Sequence, residues 1–336
     1  MKNFETDLVI IGAGPIGLFS IFEAGMLKIN CHVIDSLETI GGQCTALYPE
    51  KPIFDIPAHP NILAKDLIAK LEEQAQPFKP KYHLNQRVDG IKKLADSSFI
   101  ITTSKNNQIK CKAIIIAAGC GAFGPNRPPL DNIEKFEQKS VFYAIREKEH
   151  FRDKSIAIAG GGDSAVDWAV NLANMAEKIY VIHRREKFRC APETLSKMKE
   201  IAATGKIELV IPYQLSSLEG DDGVLKNVIV QDFDNNTRSL KADYLLPFFG
   251  LAMELGPIAN WGLNIEKNHI KVDPSTMQSS ESGIYAVGDI ATYKNKLKLI
   301  LSGFAECATA VHDIYKIIHP DAIFHFEYST SKGIAK

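Results

Sequence analysis

The stretch Leu8-Val9-Ile10-Ile11-Gly12-Ala13-Gly14-Pro15-Ile16-Gly17 decides the fold. Its aliphatic run, within Asp7 to Ile11, predicts a strand covered on both faces, as parallel strands inside an α/β sheet are. Glycines at 12, 14 and 17 fit G-x-G-x-x-G, and the apolar residues beyond them predict a helix ending near Met26. Cys31 to Ile34 then reads as a second strand, and Asp35 ends it about 20 residues after the motif. This is the grammar of a βαβ unit that binds a dinucleotide. Gly12 allows the tight turn, Gly14 lets the backbone approach a pyrophosphate, and Gly17 lets the helix meet the strand. Pro15 opens the helix whose N-terminus attracts the phosphates, and Asp35 accepts hydrogen bonds from ribose hydroxyls.

The grammar recurs. Ser155 to Ala159 predicts a strand, Ser164 to Ala176 a helix and Lys178 to Ile182 a further strand, with Gly160-Gly161-Gly162-Asp163-Ser164-Ala165 matching G-x-G-x-x-A at the first turn. Here no acid ends the second strand, which instead runs into His183-Arg184-Arg185, with Arg189 four residues beyond. A carboxylate there would repel a 2′-phosphate, whereas guanidinium groups bind phosphate in a planar, bidentate manner. The second site is therefore expected to hold NADPH in preference to NADH through Gly160, Gly162, Asp163, Ser164, Ala165, Arg184, Arg185 and Arg189. His183 is expected to shape the turn or pack on the adenine, with no catalytic role.

After each βαβ unit come short alternating segments: Val88 to Leu94, Phe99 to Thr103 and Gln108 to Lys110, then Gln214 to Glu219 and Val228 to Phe233. Asn106-Asn107, Asp222-Gly223 and Asn235-Asn236 supply turn chemistry between them. Each half thus reads as a parallel sheet plus an antiparallel meander, two Rossmann-like domains of the three-layer ββα type. Gly119 to Pro129, rich in Gly and Pro, follows the buried run Ala113 to Ala117 and lets the chain leave the first domain. A return is expected near Phe249-Gly250, with Gly283 to Ile290 rejoining the first sheet. The division is 1–118 with 250–336 as one domain and 119–249 as the other.

Composition excludes several classes. With 39 basic and 40 acidic residues the formal charge is -1, so no overall field draws the chain to nucleic acid or an anionic membrane. Leu8 to Ile21 is apolar enough to imitate a signal-peptide core, but Glu5 and Asp7 precede it and glycines interrupt it. No apolar run approaches the roughly 18 residues of a membrane span, so a soluble protein is expected. Cysteines at 31, 44, 111, 120, 190 and 307 show no C-x-x-C spacing and no histidine cluster, which predicts no metal site and a reducing, cytoplasmic compartment.

The runs IIGAGPIG, GGQCTALYPEK, IAGGGDSAVDWA, HRREKFR and YAVGDI, with KLKLILSGFAEC after the last, together resemble the thioredoxin-reductase-like flavoproteins over essentially the whole length. Within them the chain is most similar to the ferredoxin–NADP reductases. The resemblance makes the first dinucleotide FAD, with Asp289 of Gly288-Asp289 holding the ribityl and phosphate region. Gly42 and Gln43 of the Gly41-Gly42-Gln43 run lie beside the ring system, small residues permitting close approach and the amide a hydrogen bond. Val88, where the first meander begins, is included in the FAD site. Tyr48 is implied as the aromatic on one flavin face, and Tyr328 with Ser329 in the C-terminal tail as the cover of the other. Relatives often place histidine where Tyr328 stands.

Thioredoxin reductases carry a redox C-x-x-C shortly before the second glycine turn. Val141-Phe142-Tyr143-Ala144-Ile145-Arg146 occupies that region here, and Cys44 alone does not replace a dithiol. The implied activity is hydride exchange between NADPH and FAD followed by one-electron transfer to ferredoxin or flavodoxin, with no protein acid, base or nucleophile. Lys294, Lys296 and Lys298 are candidates for docking an acidic ferredoxin. The resemblance also implies a homodimer, and rotation of the two domains is a candidate control on the meeting of nicotinamide and flavin. Other readings are a dithiol-free NADPH oxidoreductase serving quinone, ferric chelate, oxygen or a disulfide protein, and a non-enzymatic redox sensor.

Overall fold

The computed structural model of the chain describes residues 2–321, with backbone alone at 122–125 and 251–253. It contains two compact units, residues 2–123 with 253–321 and residues 124–252. The divisions fall a few residues beyond those expected at 119 and 250. Gly121 explains the first shift: a side chain there would stand 2.3 Å from the Glu254 carbonyl oxygen, so Gly119 to Gly121 stays packed in the first unit. Ala122–Pro125 and Leu251–Glu254 pair as a two-stranded sheet where the chain passes out and back.

In the first unit, five strands form a parallel sheet in the order Ile284–Ala286, Ala113–Ile116, Leu8–Ile11, Cys31–Ile34, Lys81–His83. Every residue of Leu8–Ile11 and Ala113–Ile116 is buried, which is why both read as unbroken aliphatic runs. Each fully buried Val, Leu or Ile among them contributes roughly 1.5–3 kcal/mol. Pro15–Met26, Ala64–Ala75 and Ile300–Ile318 are the long helices, the first packing against both others. Val88–Lys93, Phe99–Thr103 and Gln108–Cys111 make the meander, and Asn3–Glu5 joins its edge in parallel. Ile284–Ala286 does rejoin the first sheet, but the strand is shorter than Gly283 to Ile290, because Gly288–Ile290 turns as a 3-10 helix.

The second unit repeats the plan. Its parallel sheet runs Ile207–Val210, Lys178–Ile182, Ser155–Ala159, Tyr244–Pro247, and its meander Gln214–Asp221, Val224–Gln231, Thr237–Lys241. Alternation along Ser155–Ala159 sends Ala157 and Ala159 into one core with Val228 and Val230 of the meander. Three expected boundaries move. Asp222 and Gly223 both have positive φ, 53° and 83°, and close a two-residue hairpin, so the strand after them starts at Val224. It stops at Gln231 because the Asp232 carboxylate accepts the amides of Asp234 and Asn236, bending the chain and leaving Phe233 exposed. The helix expected to reach Ala176 ends at Leu172, whose carbonyl accepts the amides of both Met175 and Ala176.

Candidate functional site

Strand Leu8–Ile11 delivers the chain into the first glycine turn. Gly12 has φ +110°, and a side chain there would stand 2.3 Å from the Ala117 carbonyl oxygen; at Gly17 it would stand 1.9 Å from that of Gly12. Both positions are closed to any other residue. Gly14 is the extended N-cap of the helix and no side chain caps it, leaving the first helical amides to a ligand. The backbone of Gly42 comes so close that a side chain on it would stand 3.0 Å from Gly14 Cα.

Asp35 is buried beside this turn. Its Oδ2 accepts the Ala13 N–H at 2.6 Å and its Oδ1 the Leu37 N–H at 2.8 Å. Burial raises its pKa from the ordinary aspartate value, against the pull of those backbone donors. The carboxylate thus braces the turn, a role beyond accepting ribose hydroxyls.

These residues open on one cavity of about 700 Å³ in the first unit, within the ~300–1,000 Å³ range of cofactor sites. Gly12, Gly14, Pro15, Asp35, Gly42, Gln43, Tyr48, Val88 and Asp289 all line it, while Gly17 packs against the Gly12 carbonyl. All these separately read residues are therefore brought together. Tyr328 and Ser329 lie outside the described residues.

Around Tyr48 the groups are protonated. Burial pushes the Cys44 thiol up to about 11 and also raises the Tyr48 hydroxyl and the Cys120 thiol, and the negative charge of Asp289 acts on all three in the same direction. Cys44 Sγ lies 3.8 Å from the Tyr48 hydroxyl. All six cysteines are free, and none of these thiols has the depressed pKa of a nucleophile. Val141, in place of a dithiol, is buried in the second unit, and the Phe142 amide donates to the Leu245 carbonyl.

Other lining residues carried little or no local signal. Gln86 is buried, its Oε1 accepting from Thr103 Oγ1 and Asn107 Nδ2. Trp261 also lines the cavity, and its indole N–H has no acceptor among the described residues. The uncapped start of helix Ile300–Ile318 opens on the same space through Leu299 and Ile300. Only the run KLKLILSGFAEC hinted at that.

The docking lysines divide. Lys294 and Lys298 are exposed, and Lys298 lines the cavity with its Nζ 2.8 Å from His269 Nε2. Lys296 must be corrected: its side chain is only 6 % exposed because it is ion-paired with buried Glu306, so it presents no charge to a partner.

In the second unit the glycine turn is as tight. A side chain on Gly160, φ +151°, would stand 2.6 Å from the Phe248 carbonyl oxygen. One on Gly161 would stand 2.3 Å from the ring of His183, which therefore underlies the turn. Burial lowers the His183 pKa, and the neighbouring arginines add to that, leaving the ring neutral at neutral pH. Gly162 caps helix Asp163–Leu172 without a side-chain bond, and fully buried Ala165 lets the helix lie close.

The segment after strand Lys178–Ile182 folds back, the Arg189 amide donating to the Gly161 carbonyl at 2.7 Å. This brings that basic segment back to the glycine turn. Arg184, Arg185, Arg189 and Ser164 are exposed, and among the described residues the three arginines form no ion pair. Asp163 accepts the Ala191 amide at 2.9 Å, so its carboxylate anchors this loop.

Both donor sets fit their cofactors. The first turn has amides for a pyrophosphate, an acid for a ribose and a cavity of about 700 Å³; the second has amides and three unpaired guanidinium groups for an extra phosphate.

Comparison with known proteins agrees. The pyridine nucleotide-disulphide oxidoreductase family matches residues 6–311. The chain is 54% identical over 336 residues to a protein of Paramagnetospirillum magneticum named ferredoxin–NADP reductase, covering 100% of both. It is 60% identical over 328 residues to the protein of that name from Rickettsia akari, covering 98% of each. In fold it is similar to T. acidophilum thioredoxin reductase, with TM-score 0.81 and 21% identity over 93% of this chain and 98% of that one. Bacillithiol disulfide reductase of Bacillus cereus gives 0.76 and 17% over 93% and 99%. The chain belongs to the pyridine nucleotide-disulphide oxidoreductase family and, within its thioredoxin-reductase-like members, to the ferredoxin–NADP reductases.

Proposed function

We propose that the chain is an FAD-dependent ferredoxin (flavodoxin)–NADP⁺ oxidoreductase, exchanging hydride between NADPH and FAD and passing electrons singly to the carrier. One observation carries the reading. An acid-ended turn on a cavity of about 700 Å³ and an arginine-ended turn occur in one chain whose 141–146 segment holds no dithiol. The relatives' names support the same reading.

Bound FAD supplies the conversion between paired and single electrons. The chain's residues hold and shield it. Amides at the start of helix Pro15–Met26 bind the pyrophosphate, Asp35 fixes the turn and the ribose, and Asp289 takes the ribityl region. Tyr48, Gln43 and the start of helix Ile300–Ile318 surround the ring. Arg184, Arg185 and Arg189 select the 2′-phosphate. Protonated Cys44 and Cys120 offer no thiolate nucleophile for disulfide exchange.

Lys294 and Lys298 are the docking charges for an acidic ferredoxin. The active form is a homodimer, as the family resemblance suggests, and the free cysteines support a reducing cytoplasm. Among the described residues no helix is long and apolar enough to cross a membrane.

The test is NADPH-dependent cytochrome c reduction by the purified protein with and without catalytic ferredoxin or flavodoxin, NADH serving as control. Strong carrier stimulation with NADPH preferred is expected. Rapid quinone, oxygen or ferric-chelate reduction with no carrier stimulation would remove ferredoxin as the acceptor.

A further inference from the structure

Behind the cavity lies an ion pair that the chemistry above does not use. The side chains of Lys296 and Glu306 are 6 % and 4 % exposed, while twelve other ion pairs leave both partners at 17 % exposure or more. Taking two charges out of water is repaid only when their remaining hydrogen-bonding capacity is also met. For the carboxylate it is: Glu306 Oε2 accepts the Gly288 N–H at 2.8 Å, and Oε1 accepts the Tyr293 hydroxyl at 2.7 Å as well as the Lys296 ammonium.

All three donors come from Gly288 to Lys296, the loop that carries Asp289, and the acceptor stands on helix Ile300–Ile318. The other side of the loop is as closely fitted. A side chain on Gly288 would stand 3.3 Å from Ile16 Cγ1, and one on Gly303 2.4 Å from Ile16 Cδ1. The phosphate-binding helix, the Gly288-Asp289 turn and the helix opening on the cavity thus meet with no side chain to spare. Gly288, Asp289, Leu299 and Ile300 line the cavity; Lys296 and Glu306 stand outside its lining.

We propose that Glu306 and Lys296 are positioning residues, a buried clamp that fixes the Gly288-Asp289 turn and the start of helix Ile300–Ile318 in the arrangement that grips FAD. This rests on the FAD reading of the cavity. The clamp differs from a general stabiliser in one respect: its loss weakens the flavin complex more than the flavin-free chain.

The experiment uses the full chain stripped of flavin and titrated with FAD by flavin fluorescence, with thermal unfolding of the flavin-free form followed by circular dichroism. Lys296→Met leaves a buried carboxylate without its cation and should weaken FAD binding by roughly tenfold or more. Lys296→Met with Glu306→Gln restores charge balance and keeps an acceptor for the Gly288 amide, and should bind FAD within about threefold of wild type. Lys296→Met with Glu306→Ala is equally balanced but lacks that acceptor, and should bind roughly tenfold more weakly than the glutamine pair.

The two double variants keep the test decisive if Lys296→Met alone does not fold. Equal FAD affinity in both, or a Lys296→Met protein that is less stable yet binds FAD as wild type does, overturns the clamp. Wild-type protein that fails to take up FAD would instead overturn the reading of the cavity.

Discussion

The two glycine turns are built alike and finished differently. In both, a buried strand meets a helix whose N-cap is an extended glycine with no capping side chain, so the first amides remain open. The first turn is braced from below by Asp35, which accepts the Ala13 amide, and the second by the His183 ring under Gly161. An anion at the strand end suits neutral ribose hydroxyls, while a neutral ring followed by unpaired arginines suits a phosphate. The shared part suits a pyrophosphate, and the strand end suits one dinucleotide over another.

The largest effect should come from breaking the shared part. Gly17→Ala puts a carbon 1.9 Å from the Gly12 carbonyl oxygen, and the protein should purify without flavin, read as loss of absorbance near 450 nm relative to protein. Flavin retained at wild-type occupancy would show that the turn yields. Changing the finish should have a selective effect: Arg184→Ala with Arg185→Ala should raise KM for NADPH by roughly 10- to 100-fold, the cost of charged hydrogen bonds, while NADH is barely affected. Equal losses for both nucleotides would place the arginines elsewhere than on the 2′-phosphate.

Smaller effects are expected at the mouth of the FAD cavity. Lys294→Glu with Lys298→Glu should slow ferredoxin-dependent turnover about tenfold at low salt and less at high salt, a salt dependence that NADPH-driven flavin reduction should not share. A rate and salt dependence like those of wild type would exclude this rim from docking. Smallest of all, Cys44→Ala should stay within about twofold of wild-type turnover. With its thiol pushed up to about 11, native Cys44 is neutral at pH 8, about one part in a thousand thiolate, and should resist alkylation there. The sign is that of a raised acid: reactivity should grow only as pH climbs toward that value.

How much of this was legible in the sequence follows from distance along the chain. Leu8–Ile11, the Gly12 to Gly17 turn and Asp35 are local features whose residue types state their own geometry, as do the Asp222-Gly223 hairpin and the arginines after Ile182. Helix ends were less legible, because the stop after Leu172 depends on backbone bonds and no glycine or proline marks it. Lys296 was misread as a surface charge, for its partner Glu306 is reached only when the last helix packs behind the Gly288 turn. Gln86 and Trp261 entered the cavity lining in the same way, through contacts made by distant returns of the chain.

The most direct test of the central claim is a double-mixing stopped-flow experiment without oxygen. The enzyme is first reduced with stoichiometric NADPH, then mixed with oxidised ferredoxin, and both chromophores are followed. Flavin reoxidation matched by ferredoxin reduction, at a rate no slower than steady-state turnover, is the expected result. Reduced enzyme that leaves ferredoxin oxidised over that time while giving its electrons readily to a quinone, ferric chelate or disulfide would contradict it.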